Sequence, residues 1–465
     1  MTTGGFPLEP SEAEMRAMGE AALSLVIEHI ASLPDAPASD LEGASDLAKA
    51  FDERAPDGGT PFAELLERLR PAFDKALGTT GPGYMAFIPG GGLYVAALAD
   101  LVANVFNRYT GMWAPAPVLG QIEWSVIRWL ADLFGYPPEA RGTLTSGGSM
   151  ANFSAVVTAR RAKLGDEFHD GTLYVTEHTH ASVQKAAVLA GFSTVHIKTV
   201  PTTRALTMDT DALRGLIAED RQMGHLPFLV VASAGTTNTG AVDPLEELAD
   251  LCAAENMWLH ADAAYGGFFY LTKRGRTALA GIERADSITL DPHKAMFMPY
   301  GTGALLVREG NIMHAAHTTA DAANYLQDLA TAESVDSSDY SAELTRPFRG
   351  LKIWLAVQLH GMRAFREALE EKMELTRVLH DGLRAIPGIE IPWEPSLTIV
   401  AFRLEGADND ANRAFLERIN ATKRVFLSST IIDGRFTLRA CIVSHRTHRD
   451  RIEEAIEIIA ASARA

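Results

Sequence analysis

The sequence predicts an α/β protein: a large domain on a mainly parallel sheet, followed by a smaller C-terminal α+β domain. Between residues 143 and about 308, short apolar runs alternate with helical patterns; they are LYV at 173–175, FLVVAS at 228–233, MWLHA at 257–261 and SITL at 287–290. Strands separated by helices imply a parallel sheet covered on both faces. After Arg349 a long helical pattern carries Leu351, Trp354, Leu355 and Leu359. It is followed by apolar strands at 397–402 and 436–443 and a closing amphipathic helix. A chain of 465 residues also has room for two or three such units with a cleft between them.

Taken in order, the chain opens with Ser11 and Glu14 at capping-box spacing, then Met15, Met18, Ala22, Leu25 and Val26 at helical spacing. This predicts an amphipathic helix whose apolar stripe needs a partner surface. A stretch rich in Pro, Asp, Gly and Ser over 33–61 leads to a second helical pattern with Phe62, Leu65, Leu66 and Leu69. We therefore divide the chain into a helical arm at 1–80, a large domain at 81–345 and a small domain at 346–465. Thr318 to Glu343, weakly periodic and rich in Ala, Asp, Ser and Thr, reads either as an ordinary connection or as a mobile lid.

Composition removes several classes. With 42 basic against 59 acidic residues the formal charge is −17, and no Lys/Arg run offers a footprint for nucleic acid or an anionic membrane. Only Cys252 and Cys441 occur, both in apolar contexts, so a disulfide framework is not expected. No secretory signal pattern and no apolar stretch of about 20 residues is visible, and a cytoplasmic location is expected.

In an open parallel sheet ligands bind where strands end and helices begin, and four such ends carry chemistry. Thr145-Ser146-Gly147-Gly148-Ser149 leads into a helical run; glycines let backbone amides approach an anion, and the helix dipole favours negative charge there. By itself this is also an ordinary turn. His260-Ala261-Asp262-Ala263-Ala264-Tyr265 closes an apolar strand with an acid, suited either to a protonated ring nitrogen beside a small Ala264 or to capping the next helix. Asp291-Pro292-His293-Lys294 follows SITL and places a lysine where it can form a Schiff base. Glu177-His178-Thr179-His180 follows LYV and offers one imidazole for stacking on a planar ring, the other being a surface group; Thr236 adds a hydroxyl after FLVVAS. An anion cradle, an acid for a ring nitrogen, an amine and a stacking ring together match the requirements of pyridoxal 5′-phosphate.

These residues stand in TSGGSMANFSA, THASVQKAA, SAGTTNTGAVDPL, HADAAYGG, SITLDPHK and LTRPFRGLKIWLAVQLHG. In that text the chain resembles the group II pyridoxal-phosphate-dependent amino-acid decarboxylases, the family that includes the aromatic-L-amino-acid and glutamate enzymes, over nearly its whole length. The resemblance implies the type I fold of PLP-dependent transferases and a homodimer formed with help from the N-terminal segment. It also implies Lys294 as cofactor tether, Asp262 as ring-nitrogen partner, His180 over the ring and Ala264 beneath it. Thr236 is then expected near the ring substituents, and Gly148, Ser149 and His293 near the phosphate. Asp291, where some relatives have Asn, must turn away from that phosphate or be compensated.

The implied reaction is decarboxylation of an L-amino acid to the amine and carbon dioxide. Relatives acting on aromatic substrates carry a loop Tyr whose counterpart, counted back from Phe348-Arg349, falls near Ser337. Tyr340 is the nearby candidate proton donor, with plain packing as its other reading. Side-chain recognition is expected from Phe87, Ile88 and Pro89 and from the region of Tyr109, Gly111 and Trp113, which favours an aromatic substrate; Arg108 keeps an acidic one open. A PLP-dependent aldehyde synthase or aminotransferase-like outcome and a non-catalytic PLP-binding scaffold also stay open. His260, Asp262 and His293 lack a further ligand cluster, so no metal is expected, and Ser146 and Ser149 lack the nucleophile-elbow pattern of a serine hydrolase.

Overall fold

The computed structural model describes residues 8–318 and 335–464. Strands β1 (Arg141–Thr145), β2 (Gly171–Thr176), β3 (Ile197–Val200), β4 (Leu226–Ser233), β5 (Trp258–Asp262), β6 (Ser287–Leu290) and β7 (Gly303–Val307) form one sheet in the order β1-β7-β6-β5-β4-β2-β3. Only β7 runs against the rest, pairing antiparallel with both β1 and β6; the other adjacent pairs are parallel. The expected α/β architecture with a mainly parallel sheet is therefore present. The apolar runs read from the sequence lie in β2, β4, β5 and β6, whereas β1, β3 and β7 lie outside those runs.

Both faces of this sheet are buried, which is why its strands read as continuous apolar runs. Along β4, Val230 and Ala232 join one core, and Leu229 and Val231 the other. Each fully buried Val or Leu contributes about 1.5–3 kcal/mol by leaving water. On β5 the same alternation sends Leu259 and Ala261 to the first core and Trp258 to the second. His260 and Asp262 share the parity of Trp258, so they face the helix Gly148–Lys163, whose Ala151, Ala155 and Ala159 pack on that side.

The smaller sheet is antiparallel: β8 (Ile389–Glu390), β9 (Ile399–Leu404), β10 (Ser428–Ile432) and β11 (Arg435–Cys441) in the order β10-β11-β9-β8. Two features join it to the large domain. The strip at 83–86 hydrogen-bonds to the small-domain backbone: Met85 N donates to Phe426 O at 3.0 Å and Cys441 N donates to Met85 O at 2.8 Å. The helical segment Gly350–Arg384, broken at Gly361 (φ 71°), buries Ile353, Phe365 and Met373 in the large core and Leu375, Leu379 and Leu383 in the small one.

The first helix, Glu12–Ser32, carries the expected capping box, with Ser11 N donating to Glu14 Oε2 at 2.8 Å and Glu14 N donating to Ser11 Oγ at 3.3 Å. It buries no residue: Met18, Ala22 and Leu25 are partly covered, with the helix Phe62–Asp74 as neighbour, while Met15, Leu23, Val26 and Ile27 are exposed. The second predicted helix is Phe62–Asp74. The connection or lid expected over Thr318–Glu343 falls mostly at 319–334, outside the described residues. Among the described residues no helix is long and apolar enough to cross a membrane.

Candidate active site

The parallel strands all end on one side, and their C-terminal ends bring Thr145, Thr176, Ser233, Asp262 and Leu290 toward one region. A cavity of about 480 Å³ opens there, lined by Gly148, Ser149, His180, Thr236, Asp262, Ala264, His293 and Lys294. Eight residues spread over 147 positions of sequence thus share one enclosure because consecutive βα turns open onto the same sheet edge.

Gly148 begins the helix Gly148–Lys163, so its free N-terminal amides face the cavity with the positive end of the helix dipole. There is little room for a side chain at 148: a Cβ would lie 3.0 Å from Asp291 Oδ2 and 3.2 Å from Ala264 Cβ. Asp291 does not turn away from this cradle. Its Oδ2 lies 3.0 Å from Lys294 Nζ and 3.6 Å from His293 Nε2, while buried Oδ1 has no hydrogen-bond partner among the described residues. While Lys294 is free, the adjacent ammonium compensates its charge. Burial lowers the pKa of His293, against the pull of Asp291. His293 Nδ1 lies 2.7 Å from Thr302 O, which can only accept, so the ring proton sits there.

Asp262 is 8% exposed and doubly held, accepting from Asn152 Nδ2 at 2.9 Å and from Ala264 N at 3.2 Å. His180 caps the helix Ala181–Leu189, its Nδ1 accepting from Ser182 N at 3.2 Å. The other histidine, His178, is not the surface group the sequence suggested. It is 6% exposed, with Nδ1 3.4 Å from Asn238 Nδ2, because the turn after β2 folds it under Thr176–Thr179. The cradle, the tethered-amine position and the acid fit a phosphorylated pyridine aldehyde: Gly148 leaves space, Lys294 supplies an amine and Asp262 supplies an acceptor for a ring N–H.

The residues expected to recognise the side chain or protonate the product are not gathered into this enclosure. Phe87 is 55% exposed at φ 51°, and its carbonyl accepts from Arg439 Nη2 at 2.8 Å. Ile88 is buried in the large core. This strip, with Pro89, passes the cavity at Gly90, where a Cβ would meet His293 O at 3.0 Å and Tyr300 at 3.1 Å. Trp113 lines a separate cavity of about 320 Å³ with Trp124 and Arg141. Tyr340 is packed edge-on to Trp124 at 5.4 Å and against His314 at 5.5 Å, and burial raises its pKa. It does not line the cavity: the short 3-10 turn Ser337–Tyr340 folds it against β1.

Sequence reasoning passed over Asn152, Ser182, Tyr265 and Tyr300, all of which line the cavity. Asn152 was findable, since it stands four residues after Gly148 on the same helix face. Arg439 was not: a 3%-exposed guanidinium on β11, it donates to Asn238 O, Ser428 Oγ and Phe87 O and has no carboxylate partner among the described residues.

Known proteins resemble this chain over most of its length. The family model described as "Pyridoxal-dependent decarboxylase conserved domain" matches residues 45–405. An aromatic-L-amino-acid decarboxylase of Bacillus atrophaeus is 36% identical over 462 residues, covering 97% of this chain and 95% of the relative. Tryptophan decarboxylase 1 of Oryza sativa subsp. japonica is 30% identical over 440 residues, covering 87% and 85%. The solved structure of Oryza sativa TDC with PLP and tryptamine superposes with a TM-score of 0.93 at 26% identity, covering 99% of each chain.

Proposed function

The chain belongs to the pyridoxal-dependent decarboxylase family, and from that premise we propose that this PLP-dependent carboxy-lyase acts on an aromatic L-amino acid, releasing the amine and carbon dioxide. The observation that carries the site assignment is the meeting of Lys294, Asp262 and the Gly148–Ser149 helix start in one cavity. Bound PLP supplies an electron sink conjugated with the substrate's Cα.

The chain's own groups then have distinct tasks. Lys294 offers the amine that would hold the cofactor. Asp262 sets a negative charge at the ring-nitrogen end, and its two hydrogen bonds keep it from rotating. His180 and Ala264 would bound the ring, Thr236 would meet its substituents, and Ser149 with the amides at Gly148 and the His293 ring would hold the phosphate; all of them line the one cavity. His180, Tyr265, His293, Lys294 and Tyr300 line the cavity and carry titratable protons, whereas Tyr340 does not line it among the described residues; we therefore assign the proton that Cα receives to one of the lining groups.

Support for an aromatic substrate comes from charge as well as from the relatives. Among the described residues Lys294 is the only Lys or Arg lining the cavity, and Arg108 is exposed outside it. An acidic side chain would therefore lack a counter-ion among the described residues, whereas the apolar strip Phe87-Ile88-Pro89 leads to Gly90, which lies beside His293 and Tyr300 of the cavity wall. We also read the exposed stripe of Glu12–Ser32 as the surface that meets a second copy in a homodimer, within the division 1–80, 81–345 and 346–465, and place the protein in the cytoplasm. Both cysteines are free and buried. A sedimentation mass of one chain at micromolar concentration refutes the dimer.

The deciding experiment incubates the holoprotein and Lys294→Ala with tryptophan, tyrosine, phenylalanine, glutamate and aspartate, identifying products by mass spectrometry. Stoichiometric amine from an aromatic substrate, lost in the variant, is expected. Preference for an acid, or aldehyde or keto acid as the main product, contradicts the proposal; no product from any substrate points to a cofactor-binding scaffold.

A further inference from the structure

Strand β5 places Trp258, His260 and Asp262 on one face at spacing two, and its parallel neighbour β6 sets Ser287 opposite His260 and Thr289 opposite Asp262. The helix Gly148–Lys163 covers that face and lowers Asn152 onto it. The result is a continuous buried hydrogen-bond chain. Trp258 Nε1 lies 2.8 Å from Ser287 Oγ, which lies 2.8 Å from His260 Nδ1. His260 Nε2 lies 3.1 Å from Asn152 Oδ1, and Asn152 Nδ2 lies 2.9 Å from both Asp262 Oδ2 and Ser182 Oγ. Ser182 Oγ in turn lies 2.7 Å from His180 Nδ1.

The donors in this chain all point one way. An indole N–H only donates, so Ser287 accepts from Trp258 and has its own proton to give to His260 Nδ1. From the other end, a carboxylate only accepts, so the amide nitrogen of Asn152 faces Asp262 and its oxygen faces His260, which requires a proton on Nε2. The Asn152 end demands this tautomer of a neutral ring, and the Ser287 end is satisfied by it. His260 is 1% exposed, and burial pushes its pKa down to about 4 against the opposing pull of Asp262. The facing groups are Asp262 on its own strand, Ser287 and Thr289 on β6, and Asn152 on the covering helix; none of them is a cation.

We propose that His260 is a positioning residue of the cofactor site: as a neutral ring protonated on Nε2, it fixes Asn152, whose two amide protons then orient Asp262 directly and His180 through Ser182. This inference rests on the PLP reading of the cavity and deepens it. One imidazole outside the cavity thereby sets both the partner of the ring nitrogen and the ring that covers it. Loss of the donor at Nε2 frees Asn152 to rotate, and a rotated amide turns its oxygen toward Asp262, where it repels rather than holds the carboxylate.

The first test needs no cofactor, so its failure is distinguishable from failure of the PLP reading. Nitrogen-15 NMR of histidine-labelled apoprotein, assigned by the resonance missing in His260→Gln, is expected to show the Nε2–H tautomer with no titration between pH 8 and pH 5. An Nδ1–H tautomer, or a midpoint above about pH 6, overturns the proposal. The second compares PLP affinity of His260→Phe and His260→Gln. Phe removes both ends of the relay and is expected to weaken binding about tenfold or more and to shift the pH dependence of the bound cofactor's visible absorption. Gln can accept from Ser287 and donate to Asn152, and is expected to recover affinity to within about threefold. Equal loss in both variants, or unchanged affinity in His260→Phe, overturns the assignment; if the Phe variant does not fold, the NMR result decides.

Discussion

Replacing Gly148 with alanine isolates the steric demand of the anion cradle. Gly148 is the first residue of its helix and has no left-handed backbone to lose, so the change adds one methyl group and nothing else. That methyl would sit 3.0 Å from Asp291 Oδ2 and 3.2 Å from Ala264 Cβ. Ordinary contact begins near 3.4 Å, so Asp291 must retreat by about 0.4 Å and Ala264 by about 0.2 Å, distances at which packed interiors already resist. Neither neighbour is free to do so. Asp291 is 2% exposed and paired with Lys294 at 3.0 Å, and Ala264 follows the close of β5 with its N–H on Asp262. Overpacking of this kind costs about 1–3 kcal/mol, which at about 1.36 kcal/mol per tenfold is a loss of roughly 5- to 150-fold in cofactor affinity if the strain falls on the loaded state. Titration of apoprotein with PLP, followed by visible absorption, measures it, with melting of the apo and loaded forms recorded alongside. The control is Gly215→Ala in the helix Thr210–Gln222, where a Cβ meets nothing within 4 Å; there the same change is expected to stabilise by about 0.5–1 kcal/mol. Unchanged affinity and unchanged melting in Gly148→Ala would refute the steric account of the cradle.

Two further outcomes follow from the same structure. Tyr340→Phe keeps the ring against Trp124 and His314, so kcat is expected to stay within about twofold while stability falls by about 0.5–1.5 kcal/mol; a loss of a hundredfold in kcat shows that the hydroxyl reaches reacting atoms after all. Asp243 is buried, and its pKa is raised to about 6 from 3.8 by desolvation, against hydrogen bonds from Ser233 N at 2.6 Å and Met208 N at 2.7 Å. Between pH 4 and pH 6 the folded state holds this proton more often than the unfolded state, so stability falls as pH rises through that window, by about 3 kcal/mol from this group. Asp243→Asn removes that slope and also one of the two acceptors. Urea melts at pH 4.5 and pH 7 should therefore show the wild type's advantage over the variant shrinking toward neutral pH, and an advantage that grows instead contradicts the assignment.

Much of the site was legible in one dimension because its chemistry sits at strand ends. A run such as SITL followed by Asp291-Pro292-His293-Lys294 announces both the strand and the turn that presents the lysine, and HADAAYGG does the same for Asp262. The residues that the structure leaves outside the cavity are those whose neighbours come from far away. Trp113 and Tyr340 carry the right chemistry but pack against segments more than 200 positions distant, as when Trp113 N donates to Asp336 at 2.7 Å. His178 and His180 are two residues apart and alike in type, yet the helix start at Ala181 exposes one and the preceding turn buries the other.

What the amino-acid order alone determined is the alternation of apolar runs and helical patterns, and with it the sheet and the grouping of a lysine, an acid and a glycine turn at its strand ends. Those properties depend on local periodicity and on side-chain type. Tertiary structure alone decided which groups meet: that Asp291 faces the cradle with its charge matched by Lys294, that Arg439 grips the strip at Phe87, and that Trp258, Ser287, His260 and Asn152 line up behind Asp262. Hydrogen bonds between strands and an overlying helix depend on register and on packing across the sheet, and neither is written in the spacing of residues along a single segment.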